Sequence, residues 1–166
     1  MKFQSINELP LFSFRDCVLE RFEQLDSTIR LTVEALIVLP ANSQNSCFTE
    51  SYAGTSTIRL TNARLLSAVK EGFRRYNAEG VLWEESPDLP LSEAELAALL
   101  PQFTDCYLYE MVPEPSDSGT PSVYEIAIEF PPENPYDTVP TDSYRLRVCC
   151  DKAIVDWDFY RNRLQE

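Results

Sequence analysis

The stretch Ser27-Thr28-Ile29-Arg30-Leu31-Thr32-Val33-Glu34-Ala35-Leu36-Ile37-Val38-Leu39 decides how the rest of the chain is read. Ile29, Leu31, Val33, Ala35, Ile37 and Leu39 fall on alternate positions, opposite Thr28, Arg30, Thr32 and Glu34. A period of two puts one set of side chains on one face, so the stretch is a half-buried strand. Upstream, Leu11 to Phe22 is strand-like, with Phe12, Phe14, Val18 and Phe22 in one parity and Asp16 and Glu20 interrupting it. That interruption marks a bulge or a strand end. Asp26-Ser27 has turn chemistry, and the two strands are expected to pair antiparallel.

Downstream, Thr55–Thr61, Asp105–Val112, Val123–Phe130, Ser143–Cys150 and Ala153–Asp158 carry the same signature. Asp151-Lys152 is expected to turn the chain back into the last of these, with Trp157 in the core. Tyr76–Val81 reads as a hairpin turn, Gly80 allowing a positive φ. Between Asn62 and Phe73 two readings stay open. Leu65, Leu66, Val69 and Phe73 have helical spacing, Gly72 opposes a helix, and a strand competes. The best helix begins at Ser92, where Ser92-Glu93-Ala94-Glu95 fits a capping box and Leu96, Leu99 and Leu100 form an apolar stripe. Pro40–Ser51, Pro113–Ser122 and Pro131–Asp142 read as loops. The expected fold is α+β: a mainly antiparallel sheet of about six to eight strands with one or two helices packed on it. One domain over residues 1–166 accommodates it.

Composition narrows the chemistry. The chain has 166 residues, 14 basic and 27 acidic side chains, a formal charge of −13 and no histidine. Catalysis by imidazole, histidine-ligated metals and phosphate-tracking by a broadly basic surface are all disfavoured, so no nucleic-acid partner is expected. No apolar run approaches a membrane span, so no membrane partner is expected either. The five cysteines are odd in number and lack Cys-x-x-Cys spacing, which points to a reducing, cytoplasmic setting. No phosphate-loop, calcium-loop or zinc spacing is present, so neither cofactor nor metal is expected. A monomer or small oligomer fits this composition.

The charge is unevenly placed. From Tyr76 to Tyr144 there are 15 acidic residues and no Lys or Arg, so this segment carries −15 and the flanks return +2. Glu93 and Glu95 belong to the helix cap, and Glu125 and Glu129 to the polar face of a strand. The acids read as loop or edge residues are Glu84, Glu85, Asp88, Glu114, Asp117, Glu133 and Asp137. Two readings compete: a solvated acidic surface, partly neutralised by basic flanks folding against it, or a docking face for a cationic protein. The alternatives are a carboxylate-based ligand- or metal-binding domain or enzyme using Asp16, Asp156 or Asp158, and an assembly subunit with an aromatic patch at Tyr107, Tyr109 and Tyr136. Cys149-Cys150, beside Arg147 and Lys152, is the candidate reactive thiol pair, and a core role for Cys150 outweighs it.

The segments Phe14-Arg15-Asp16-Cys17-Val18 and Asp26-Ser27-Thr28-Ile29-Arg30-Leu31 resemble small acidic bacterial proteins of uncharacterised function. Val69-Lys70-Glu71-Gly72 and Tyr76-Asn77-Ala78-Glu79-Gly80 add to the likeness, which covers the first half of the chain. Some proteins of that build look like immunity proteins, which neutralise toxin enzymes by direct binding. The resemblance implies an α+β architecture and a non-catalytic, inhibitor-like role, with no catalytic residues to carry over.

Overall fold

A computed structural model describes residues 2–115, 122–136 and 141–161. In chain order the strands are β1 (Phe3–Ile6), β2 (Phe12–Ser13), β3 (Val18–Leu25), β4 (Thr28–Glu34), β5 (Ile37–Val38), β6 (Ser51–Tyr52), β7 (Ser56–Thr61) and β8 (Arg64–Lys70). They continue as β9 (Phe73–Tyr76), β10 (Leu82–Ser86), β11 (Leu89–Pro90), β12 (Cys106–Pro113), β13 (Ser122–Glu129), β14 (Ser143–Cys150) and β15 (Lys152–Trp157). One α-helix, α1 (Glu93–Leu99), lies between β11 and β12. The fold is thus mainly β. It has more strands than the six to eight expected, because two expected strands are each divided (β2 from β3, β4 from β5) and because the short strands β1, β6 and β11 carry no alternation that marks them.

The large sheet runs β1-β15-β7-β4-β3-β12-β13-β14-β8-β11, antiparallel throughout. Its middle is narrow: β3 meets β12 only through Leu19 opposite Cys106 and Val18 opposite Tyr107. Two five-stranded halves therefore meet at this junction. They are joined a second time by covalent continuity. Ser56 pairs with Trp157 and Thr61 with Lys152, then Arg64 with Cys149 and Lys70 with Tyr144. Strands β7–β8 and β15–β14 are thus one long antiparallel ribbon that bends at Asn62-Ala63 and Asp151 and passes from one half-sheet to the other. Bends of this kind make the corners of orthogonally packed sheets. Asn62 takes φ 46° at the corner, its Nδ2 donates to Asp151 Oδ2 at 3.1 Å, and Ala63 N–H donates to Ser27 O at 2.6 Å. Asp151 therefore does not return the chain as a hairpin, as the sequence led us to expect. The corner carries β15 onward to lie beside β7.

The strand expected over residues 27–39 ends at Glu34. Ala35 adopts φ 58°, and the chain re-enters as β5 in a three-stranded sheet with β2 and β6. Leu11–Phe22 is likewise divided into β2 and the start of β3. Asn62–Phe73 contains no helix: it is the strand β8 followed by the turn into β9. Both half-sheets turn their apolar faces to a single core containing Leu19, Leu31, Ile58, Leu108, Ile126, Leu146 and Trp157. Leu96, Leu100 and Phe103 bring α1 and the turn after it onto that core. Among the described residues no helix is long and apolar enough to cross a membrane.

Candidate functional site

The outer face of β14 collects much of the acidic segment's charge. Arg147 Nε and Nη2 donate to the two carboxylate oxygens of Glu114 at 2.5 and 2.9 Å. Hydrogen bonding from that guanidinium holds Glu114 below its ordinary value against the opposing effect of burial, with the charge of Arg147 adding to it. Arg145 Nη2 donates to Asp88 Oδ2 at 3.1 Å and lies near Glu71, while Asp88 Oδ1 accepts the Gly72 N–H at 2.7 Å. Lys70 sits 3.3 Å from Asp142. On the β9–β10 hairpin, Glu84 and Glu85 lie opposite Arg75 and Arg74 and pair with them at 3.2 and 3.0 Å. Four of the seven acids read as contact residues, Glu84, Glu85, Asp88 and Glu114, thus already have arginine partners in the chain. Glu133 is exposed in the loop after β13, and Asp117 and Asp137 lie outside the described residues.

A different acidic surface lies on the outer face of β12 and β13. Tyr107 and Tyr109 project from β12 with 41% and 49% of their surface exposed, and their ring centroids are 6.3 Å apart. Both point outward by ordinary strand alternation, and a bulge between Leu108 and Glu110 keeps Glu110 outward beside Tyr109, so that Met111 turns inward. Glu129 on β13 lies directly opposite Tyr107 and accepts a hydrogen bond from Thr141 Oγ1 at 2.7 Å. Burial raises the Tyr109 hydroxyl above its ordinary value, as do the charge of Glu129 and the hydrogen bond between them. Glu110 follows Tyr109 on the exposed face, and Asp105, at φ 58°, precedes the strand. Among the described residues no basic side chain forms an ion pair with Asp105, Glu110 or Glu129. Tyr136, in the loop beyond β13, is 92% exposed. The shared face of the two tyrosines was legible from their spacing, but the bulge that sets Glu110 beside them left no signal beyond a broken alternation.

The remaining candidate carboxylates have separate environments. Asp156, one of the candidate carboxylates, is buried, because β15 lies between β1 and β7. There its Oδ2 accepts from Arg59 Nε at 3.1 Å and Nη2 at 2.9 Å, and its Oδ1 accepts from Gln4 Nε2 at 2.8 Å. Asp158 Oδ1 accepts from the Lys2 backbone N–H at 3.3 Å. Asp16 is exposed and accepts from the Tyr52 hydroxyl at 2.6 Å. These three acids sit in three different networks. Among the described residues no group of three or more Cys, Asp or Glu is arranged to hold a metal ion. Cys149 and Cys150 are both buried, and burial pushes the Cys150 thiol up to about 11, the charges of Cys149 and Asp151 adding to it. Comparison of the chain with protein-family profiles, with curated proteins and with solved structures gives no match.

Proposed function

We propose that the chain is a non-catalytic protein-interaction domain that binds a cationic segment of a partner protein on the outer face of β12 and β13. One observation carries this reading: the exposed Tyr107–Tyr109 pair is bordered by Asp105, Glu110 and Glu129, which have no basic partner among the described residues. Aromatic faces attract a guanidinium or ammonium, and adjacent carboxylates add charge-assisted hydrogen bonds. Tyrosine is also a low-entropy anchor at protein interfaces. The reading agrees with an inhibitor-like role, in which an acidic domain covers a basic surface of its target. Paired carboxylates such as Glu84, Glu85 and Glu114 contribute to the long-range field, and the tyrosine-bordered acids make the contacts.

A nona-arginine peptide tests the assignment, with affinity measured at about 50 and 150 mM salt. The double variant Tyr109→Ala/Glu110→Lys is expected to weaken binding by about tenfold or more and to flatten the salt dependence. Glu84→Lys/Glu85→Lys, which reverses charges already paired on the hairpin, is expected to do less. If the hairpin variant loses binding while the β12 variant keeps it, the β12–β13 face is not the site.

A further inference from the structure

Strand β8 has an open edge. On the side away from β14, β11 pairs with it only at Lys70 and Val69, and the Leu91 N–H donates to Ala68 O at 2.9 Å. The chain then leaves the edge at Ser92, the N-cap of α1. From Arg64 to Ser67 no described strand continues that pairing. Between this edge and α1 lies a cleft of about 590 Å³, lined by Leu65, Leu91, Leu96 and Leu100, with Gln24 at its border. Its volume is in the range of peptide and small-molecule sites. A strand edge presents N–H and C=O groups ready to pair with an added chain.

Arg64 lines the cleft at the start of β8. Every other described arginine is ion-paired with a carboxylate of this chain. In a protein with nearly twice as many acids as bases, Arg64 alone among the described arginines has no such partner. Its charge is available to a ligand, and a guanidinium matches a carboxylate in bidentate geometry.

We propose that this cleft binds an extended peptide ending in an apolar residue with a free carboxylate, added antiparallel to β8. The direction follows from the topology. β11 already runs antiparallel to β8, and a peptide continuing its line runs from Ala68 towards Arg64. Its C-terminus therefore arrives at the unpaired guanidinium. Arg64 to Ser67 accommodates about three or four peptide residues at the rise of a strand, with alternate side chains entering the leucine-lined cleft. Glu93 on the helix lip disfavours acidic side chains along the peptide, so its negative charge is confined to the terminus. This site lies on a different strand pair from the Tyr107–Tyr109 face and stands independently of it.

The test uses fluorescein-labelled Ala-Val-Thr-Val-Leu as free acid and as C-terminal amide, read by fluorescence polarisation. The acid is expected to bind about tenfold or more tightly than the amide, as for a charge-assisted bidentate pair. Arg64→Gln is expected to erase that difference, and Arg64→Lys to retain part of it. Ala97→Trp, which projects an indole into the cleft from an exposed helix position, is expected to abolish binding of both peptides. Among the described residues the Arg64 side chain has no ion-pair or hydrogen-bond partner, so both Arg64 variants are expected to keep the wild-type urea midpoint. Equal binding of acid and amide by the wild type overturns the proposal, as does an acid preference that survives Arg64→Gln. Decanoate binding that depends on Arg64, without peptide binding, overturns the peptide as occupant and assigns the cleft to small amphipathic anions.

Discussion

Asp156 shows how a buried carboxylate is accommodated in this core. Its two oxygens take three donors, from Arg59 and Gln4, so its desolvation is offset by an ion pair and by hydrogen bonds. Removing the carboxylate strands a guanidinium that is only partly exposed. Asp156→Ala is expected to destabilise the protein by about 3 kcal/mol, read from urea denaturation followed by tryptophan fluorescence. A loss below about 0.5 kcal/mol, the scale of an exposed pair, would show that the network contributes little. The thiols give a second residue-scale expectation. Burial pushes Cys17 up to about 12, and Cys106 and Cys150 up to about 11, from the ordinary 9.0. Among the described cysteines Cys47 is exposed and the other four are buried. With a chromogenic disulfide at neutral pH, one thiol per native chain should react rapidly and the others only after denaturation. The same shifts set a pH dependence. Above about 9 the unfolded thiols ionise while the folded ones do not, so stability present at neutral pH declines as pH rises towards 11 to 12. Burial of Tyr109, Tyr124 and Tyr144 acts in the same direction. The urea midpoint should fall between pH 8 and pH 10, and an unchanged midpoint would contradict the assigned burial.

At the scale of elements, bulges decided what could be read in advance. In β8 the bulge at Leu66 places Leu65 opposite Val148 and Ala68 opposite Leu146, so inward residues are three apart. The helical reading of Asn62–Phe73 rested on Leu65, Leu66, Val69 and Phe73, of which Leu66 is the exposed bulge residue, so that spacing does not mark a buried face. The same device puts Leu19 and Phe22 inward on β3 and Leu108 and Met111 inward on β12. Strands without a bulge keep strict alternation: β13 was legible to within a residue and β4 from its start, although the alternating pattern runs on past its end at Glu34. The helix was legible because its signal is local: Ser92 Oγ accepts from Glu95 N–H at 3.2 Å and the Glu95 carboxylate accepts from Ser92 N–H at 3.3 Å. Ser92→Ala is expected to cost about 1 kcal/mol in a urea titration. The ion pairing of the acidic segment was legible only as one of two possibilities, because pairing between residues tens of positions apart depends on strand order. In the sequence Gly72 signals only a weak point in a helix. A Cβ there would come within 2.0 Å of Ser86 O and 2.5 Å of the Pro87 carbonyl carbon, both backbone atoms. Gly72→Ala must therefore displace the start of β9 from the segment after β10. It is expected to destabilise by about 1–3 kcal/mol. Spectral changes confined to the β9–β10 hairpin would locate the effect, and a wild-type midpoint would show that the hairpin shifts without strain.

For the whole molecule, the bent ribbon determines how the two half-sheets behave together. The β3–β12 junction offers only two residue pairs, and by itself it would leave the halves nearly independent. The ribbon instead sends two strands through both halves, and the residues they bury form one core with those of β4, β12 and β13. Opening one half removes the apolar cover from the other, so the two should unfold as one cooperative unit. Native-state amide exchange under mild urea tests this with probes on either side of the corner. Ile58 and Val155 report on one half, Leu146 and Ile126 on the other. All four are expected to exchange through an opening of the same free energy, equal to that of global unfolding. The β9–β10 hairpin pairs with no strand of the large sheet and is expected to open earlier, consistent with the marginal stability of isolated hairpins. If Leu146 and Ile126 exchange at a distinctly lower free energy than Ile58 and Val155, the corner is a hinge between two separately folding units. The open edge of β8 would then belong to the weaker of them.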